Sequence, residues 1–127
     1  MVWVEIVSLL SVIQYFIFGM LVGRARTRFN VPAPAMVGPP IFECYMRVHQ
    51  NTLEVMVMFL PSMWIASKYW RGDVIAAIGF VYLVGRWMYY RGYVVDPAKR
   101  HVGFGVTVLP IFVLIVMAFV GMALAAK

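Results

Sequence analysis

Phe42–Pro61 reads FECYMRVHQNTLEVMVMFLP. From Val55 onward this stretch is apolar enough for lipid, whereas its first half carries Glu43, Arg47, His49, Gln50, Asn51 and Glu54. A helix that begins polar and ends greasy needs surroundings that change along its length. Of the chain's 127 residues, 64% are hydrophobic and 13% charged, against about half and about a quarter in a soluble domain. One domain of this size cannot hide so much apolar surface from water, so the expected solvent is lipid. A net charge of +6 would suggest nucleic acid for a soluble protein. Here the charges sit at the ends of apolar runs and read as membrane orientation plus one local site, with no nucleic-acid partner. Cys44 is the sole cysteine, which excludes an intrachain disulfide and a cysteine-based metal cluster; no metal is expected.

A bilayer core of about 30 Å takes roughly 20 helical residues. Ile6–Gly23 carries no charge and runs into RARTRF (24–29), which makes it the first span. Glu5 stands where a signal peptide would be basic, and no small-x-small cleavage pattern precedes Arg24, so this run is read as a retained helix. His101–Ala126, free of Asp, Glu, Lys and Arg, makes the fourth span. Between them, Val55–Ser67 and Val74–Gly85 are charge-free for only 13 and 12 residues. Each reaches span length by absorbing its polar neighbour, Glu43–Glu54 in one case and RWMYYRGY (86–93) in the other. The links are NVPAPAMVGPP (30–40), which with four prolines cannot be helix, then RGD (71–73) and VVDPAKR (94–100). Pro61 and Pro110 fall inside spans, where neighbouring helices can satisfy the freed carbonyls. The expected fold is all-α: a polytopic four-transmembrane-helix bundle forming a single domain over residues 1–127.

Four spans place both termini on one side. The first and third links and their flanks carry eight basic residues (Arg24, Arg26, Arg28, Arg47, Arg86, Arg91, Lys99, Arg100) against Glu43, Glu54 and Asp96. The opposite side has Lys68, Arg71 and Lys127 against Glu5 and Asp73. The positive-inside rule makes the first side cytoplasmic. Spans two and three run antiparallel, so their polar halves meet at that depth and form a shared polar chamber within one leaflet.

Glu43, Arg47, Asn51 and Glu54 are spaced 4, 4 and 3, which is one helical stripe, and Arg86, Tyr89, Tyr90 and Tyr93 form a second. Ionisable groups inside a span point to function unless they are paired or wet. The competing reading is internal neutralisation, with Glu43 or Glu54 paired to Arg47 or Arg86. It does not cover the set, because basic groups outnumber acidic ones. Surplus positive charge in a low-dielectric chamber favours an anion, and arginine offers a two-pronged fit to a carboxylate. Glu54, where no arginine claims it, is the group to take a ligand ammonium. Tyr90 and Trp87 also read as an interfacial aromatic belt, Arg24 and Arg28 as a topology signal, and His49 as facing headgroups.

GPPIFECYMRVHQNTLE (38–54), GRWMYYRGY (85–93) and Arg100, seven positions past Tyr93, resemble the MAPEG superfamily of membrane-associated proteins in eicosanoid and glutathione metabolism. The pattern is that of the branch holding leukotriene C4 synthase and microsomal glutathione transferase 2. The resemblance implies a homotrimer of four-helix subunits that binds glutathione, as co-substrate, between neighbouring subunits on the cytosolic side. It places Arg26, Arg47, Asn51, Glu54, Tyr89, Tyr93 and Arg100 on glutathione. Arg47 and Arg26 take carboxylates and Glu54 the γ-glutamyl amine. Arg100 holds the sulfur as thiolate, with Tyr93 beside it as the second catalytic residue. Three positions depart from the branch: Val55 replaces a tyrosine, Thr27 an arginine and His49 a glutamine.

The implied activity is conjugation of glutathione to a hydrophobic electrophile that enters sideways from the bilayer, with peroxidase action on lipid hydroperoxides as a companion. A free thiol titrates near pH 8.5 and only the thiolate attacks. Two pKa units of activation amount to ~2.7 kcal/mol of preferential anion stabilisation, within reach of one arginine in a partly desolvated pocket. The rivals are a non-enzymatic lipid-binding MAPEG scaffold, a glutathione-dependent isomerase, and a small multidrug exporter. The exporter reading would need a carboxylate deep in span one, where the sequence has only Gln14.

Overall fold

The computed structural model describes residues 2–127. Four helices follow in order: α1 (Val2–Phe29), α2 (Pro40–Ser67), α3 (Gly72–Val95) and α4 (Arg100–Ala125), with one 3-10 turn at Pro97–Lys99 and no strand among the described residues. α1 and the segment Pro97–Ala125 are long and apolar enough to cross a membrane.

The helices outrun the charge-free stretches because charge limits where lipid ends, not where a helix ends. α1 continues through RARTRF to Phe29, since arginine and alanine are strong helix formers. It stops at Asn30, whose φ of 54° is left-handed, a conformation asparagine tolerates at a helix end. The Val31 amide then donates to the Arg26 carbonyl at 3.0 Å, and Val31 folds back onto Val22 and Ala25. This bond, running from the second residue past the helix to the Arg26 carbonyl, with the left-handed Asn30 between, is that of a Schellman stop. α2 opens with Pro40 in its first turn, where the missing amide costs nothing.

Two links differ from their sequence reading: the second lies at Lys68–Arg71 instead of 71–73, and the third is shorter than 94–100. Gly72 and Asp73 of RGD are the first residues of α3; the Asp73 carboxylate accepts from the Val74 amide at 2.8 Å, favourable at a helix N-terminus. Val94 and Val95 stay helical, so α3 and α4 are joined by Asp96 and the 3-10 turn alone. Asp96 Oδ1 accepts from the Ala98 amide at 3.1 Å and caps that turn.

Val4, Phe59, Met63, Tyr82 and Leu114 fill the main core. The closest helix pair is α3 with α4, and glycines are the reason. A Cβ on Gly85 would lie 2.5 Å from the Thr107 nitrogen, and one on Gly103 would overlap the backbone of Tyr89. Small residues let the backbones touch, a packing device common between helices in lipid. Large apolar side chains such as Phe16, Phe112 and Phe119 face outward, a distribution suited to a lipid solvent rather than water.

Candidate functional site

The α3–α4 glycine seam sets Tyr89 beside the start of α4, and α2 brings Arg47 and Asn51 to the same place. Arg47, Asn51, Tyr89, Arg100, His101 and Phe104 line one cavity of about 310 Å³. Four of the sequence-designated residues thus meet across three helices. His101 and Phe104 were not singled out for the site. Spacing signals Phe104, since Arg100 and Phe104 stand four apart and share a helix face; nothing comparable marks His101.

Tyr93 joins from the rim. Its ring meets Tyr89 edge-on at 5.4 Å, and the Arg100 guanidinium lies 5.7 Å from its centroid. Arg100 is steadied by donating from Nη1 to the Pro97 carbonyl at 2.7 Å. On the other side, the Arg86 guanidinium lies 4.3 Å from the Tyr89 centroid. The order guanidinium, ring, ring, guanidinium, running from α3 to the first residue of α4, is a cation–π ladder.

Arg86 is not a wall of the cavity. It is 0% exposed, and it ties α3 to both α2 and α4. Nε donates to Thr107 Oγ1 at 3.0 Å, and Nη1 to Asn51 Oδ1 at 2.8 Å and Thr52 Oγ1 at 3.3 Å. Both threonine hydroxyls spend their own protons one turn back, on Val48 and Gly103 carbonyls at 2.7 and 2.8 Å, so their lone pairs are open to the guanidinium. Asn51 in turn donates to Glu54 Oε1 at 3.3 Å. Both ends of the Asn51 carboxamide are therefore held, one by a buried cation and one by an exposed carboxylate.

Internal neutralisation, most expected for Glu43 and Arg86, is not what the structure contains. Glu43 accepts from the Gly38 amide at 3.1 Å and secures the proline-rich link, and Arg86 is held by neutral oxygens. Among the described residues the one ion pair is Arg71–Asp73 at 2.8 Å, in the α2–α3 link. Arg47 and Arg100 thus stand at the cavity without a protein counter-ion.

Arg26 lies elsewhere. It donates to the Ala35 and Val31 carbonyls at 2.6 and 3.3 Å and lines a second cavity, about 410 Å³, with Gly19, Met46 and His49. His49 stacks on Tyr15 of α1 with centroids 4.5 Å apart, half-buried against that helix. Of the other departures, Thr27 is exposed and Val55 is buried among core residues, so neither lines the cavity.

The sequence matches the MAPEG family over residues 4–120. Relatives include mouse microsomal glutathione S-transferase 2, 37% identical over 92% of this chain and 80% of its own length. Bovine leukotriene C4 synthase is 31% identical over 91% and 77%. An uncharacterized protein of the cyanobacterium Synechocystis is 36% identical over 93% and 86%. With the match running nearly end to end and the helices in the order described, the chain belongs to the MAPEG family, a membrane-associated family.

Proposed function

We propose that the chain is an integral membrane glutathione transferase with four spans, its loops 1 and 3 and its cavity on the cytoplasmic side. The carrying observation is the cavity where Arg47, Asn51, Tyr89 and Arg100 converge with no acid to neutralise the two arginines. An open site with surplus guanidinium charge selects an anionic ligand, and the names of the relatives supply glutathione. Arg47 holds a peptide carboxylate, Asn51 the peptide backbone, and Glu54, one hydrogen bond beyond Asn51, the γ-glutamyl amine. Tyr89 and Tyr93 flank the peptide.

Arg100 keeps the sulfur as thiolate, and the Tyr93 phenol beside it steadies that charge. In conjugation a C–S bond forms as the electrophile's bond to its leaving group breaks. The electron pair departs with a halide, or with an epoxide oxygen that takes a proton from solvent. With a lipid hydroperoxide, two thiols reduce the O–O bond to an alcohol and water and leave as glutathione disulfide.

The separate position of Arg26 supports a homotrimer in which glutathione lies between subunits, with the Arg26 face of one copy closing the Arg47–Arg100 cavity of the next. The test is purified protein with glutathione and either an aryl halide or a lipid hydroperoxide. Turnover with at least one, and a glutathione-dependent rise in melting temperature, are expected. Absence of both rejects the reading.

A further inference from the structure

The basic end of α1 takes no part in that cavity. Arg24 and Arg28, one turn apart, join Leu21 and Ala25 of α1, Tyr45 of α2 and Tyr90 of α3 around a separate cleft of about 100 Å³. We propose that this cleft binds a phosphate group, of the kind carried by an anionic lipid headgroup.

Charge argues first. Arg26, between the two in sequence, is spent on backbone carbonyls. Arg24 and Arg28 have no acid beside them, the one ion pair among the described residues being Arg71–Asp73. Arg28 rests over the Phe29 ring at 5.0 Å, which leaves its N–H groups free. The Arg91 side chain, next to Tyr90, adds a third positive charge within reach of that phenol, together with Arg24. Clustered guanidiniums match phosphate oxygens in forked pairs.

Shape narrows the ligand. The cleft, about 100 Å³, is a third the size of the Arg47–Arg100 cavity at about 310 Å³, and it suits a small tetrahedral anion better than a tripeptide. The Tyr45 and Tyr90 rings stand 6.1 Å apart and bring two phenol hydroxyls to the cleft. Below the cleft, Tyr90 contacts Phe18 at 5.4 Å and Trp87 at 5.2 Å between centroids, and Trp87 is exposed to the outside. An acyl chain attached to the phosphate has an apolar path down that wall. A basic segment where an apolar helix leaves the membrane is a usual place for acidic lipid, and here it is built into a cleft with phenols. The proposal does not depend on glutathione chemistry.

Protein in neutral detergent is titrated by thermal shift with phosphatidic acid, phosphatidylcholine, uncharged diacylglycerol and inorganic phosphate. Saturable stabilisation by phosphatidic acid but not diacylglycerol is expected. Arg24→Gln/Arg28→Gln should weaken it at least tenfold and Tyr45→Phe/Tyr90→Phe about threefold, while Lys68→Gln/Arg71→Gln, which removes equal charge from the opposite end, should not. Stabilisation by inorganic phosphate as strong as by the lipid would assign the site to free phosphate; lipid alone assigns it to a headgroup. No saturable effect of any phosphate compound, or equal loss in the Lys68/Arg71 variant, overturns the proposal. If the glutamine variant does not fold, Arg24→Lys/Arg28→Lys, which keeps the charge and loses the forks, is scored instead; an unchanged midpoint there is the overturning result.

Discussion

Replacing Arg86 with methionine should leave the fold standing and damage the site. The guanidinium is 0% exposed, and confining a charge there costs several kcal/mol even after relaxation. Its Nη2 finds no partner, which adds about 1–3 kcal/mol. Against this stand two hydrogen bonds from Nη1, to Asn51 and Thr52, and one from Nε to Thr107; bonds of a charged donor are each worth about 1.5–3 kcal/mol. The two sides nearly cancel. Methionine strands no counter-charge, because the partners are neutral, and both threonine protons keep their helix carbonyls. Stability in detergent should therefore change by no more than about 1 kcal/mol, with a gain as acceptable as a loss. Lysine in the same place keeps the buried charge but cannot reach Thr107 on one side and Asn51 on the other. It should be the more destabilising substitution of the two. The site responds differently: Asn51 loses its inner anchor and Tyr89 the cation 4.3 Å from its ring centroid. The proposed glutathione affinity should fall about tenfold, equivalent to about 1.4 kcal/mol. Melting curves and isothermal titration of the wild type and both variants decide the matter. A methionine variant that binds glutathione as the wild type does, or that fails to fold where lysine folds, refutes the reasoning.

Gly103→Ala forces a methyl into the Tyr89 backbone and should cost about 1–3 kcal/mol, read as a lower melting temperature. Gly105→Ala, two residues on with nothing within 4 Å of the added carbon, should gain about 0.5–1 kcal/mol from helix propensity. Asn30→Val meets the left-handed φ of 54° with a branched side chain and should lose about 1–2 kcal/mol, while Asn30→Gly stays near neutral; melting curves check both. Arg100→Ala should retain glutathione binding but raise the pKa of the bound thiol by up to about two units, visible as a shift in the pH titration of thiolate absorbance. An unchanged thiol pKa would remove Arg100 from its proposed role.

The apolar runs foretold α1 and α4 well, because a stretch free of charge is a property of the sequence alone. Charge foretold helix ends poorly: α1 passes Gly23 and carries its arginines out on helix, and α3 begins inside RGD. The two stripes on α2 and α3 brought Arg47, Asn51 and Tyr89 together as their spacing implied, and Arg100 meets them from α4. Arg86 was legible as a member of a stripe but not as a buried clamp. Its partners Thr52 and Thr107 lie 34 and 21 residues away, and nothing in their neighbourhoods marks them. Arg26 shows the converse limit. Residues that a family pattern places on one ligand occupy different faces of a single chain, and only three-dimensional arrangement separates them.

The direct contact of α3 with α4 at Gly85 and Gly103 makes the separation of Tyr89 from Arg100 a matter of main-chain thickness. A gap fixed that way works like a machined gauge, indifferent to how the remaining side chains settle in one bilayer or another. The elements outside the seam are left to adjust, while the Tyr89–Arg100 end of the cavity keeps one width.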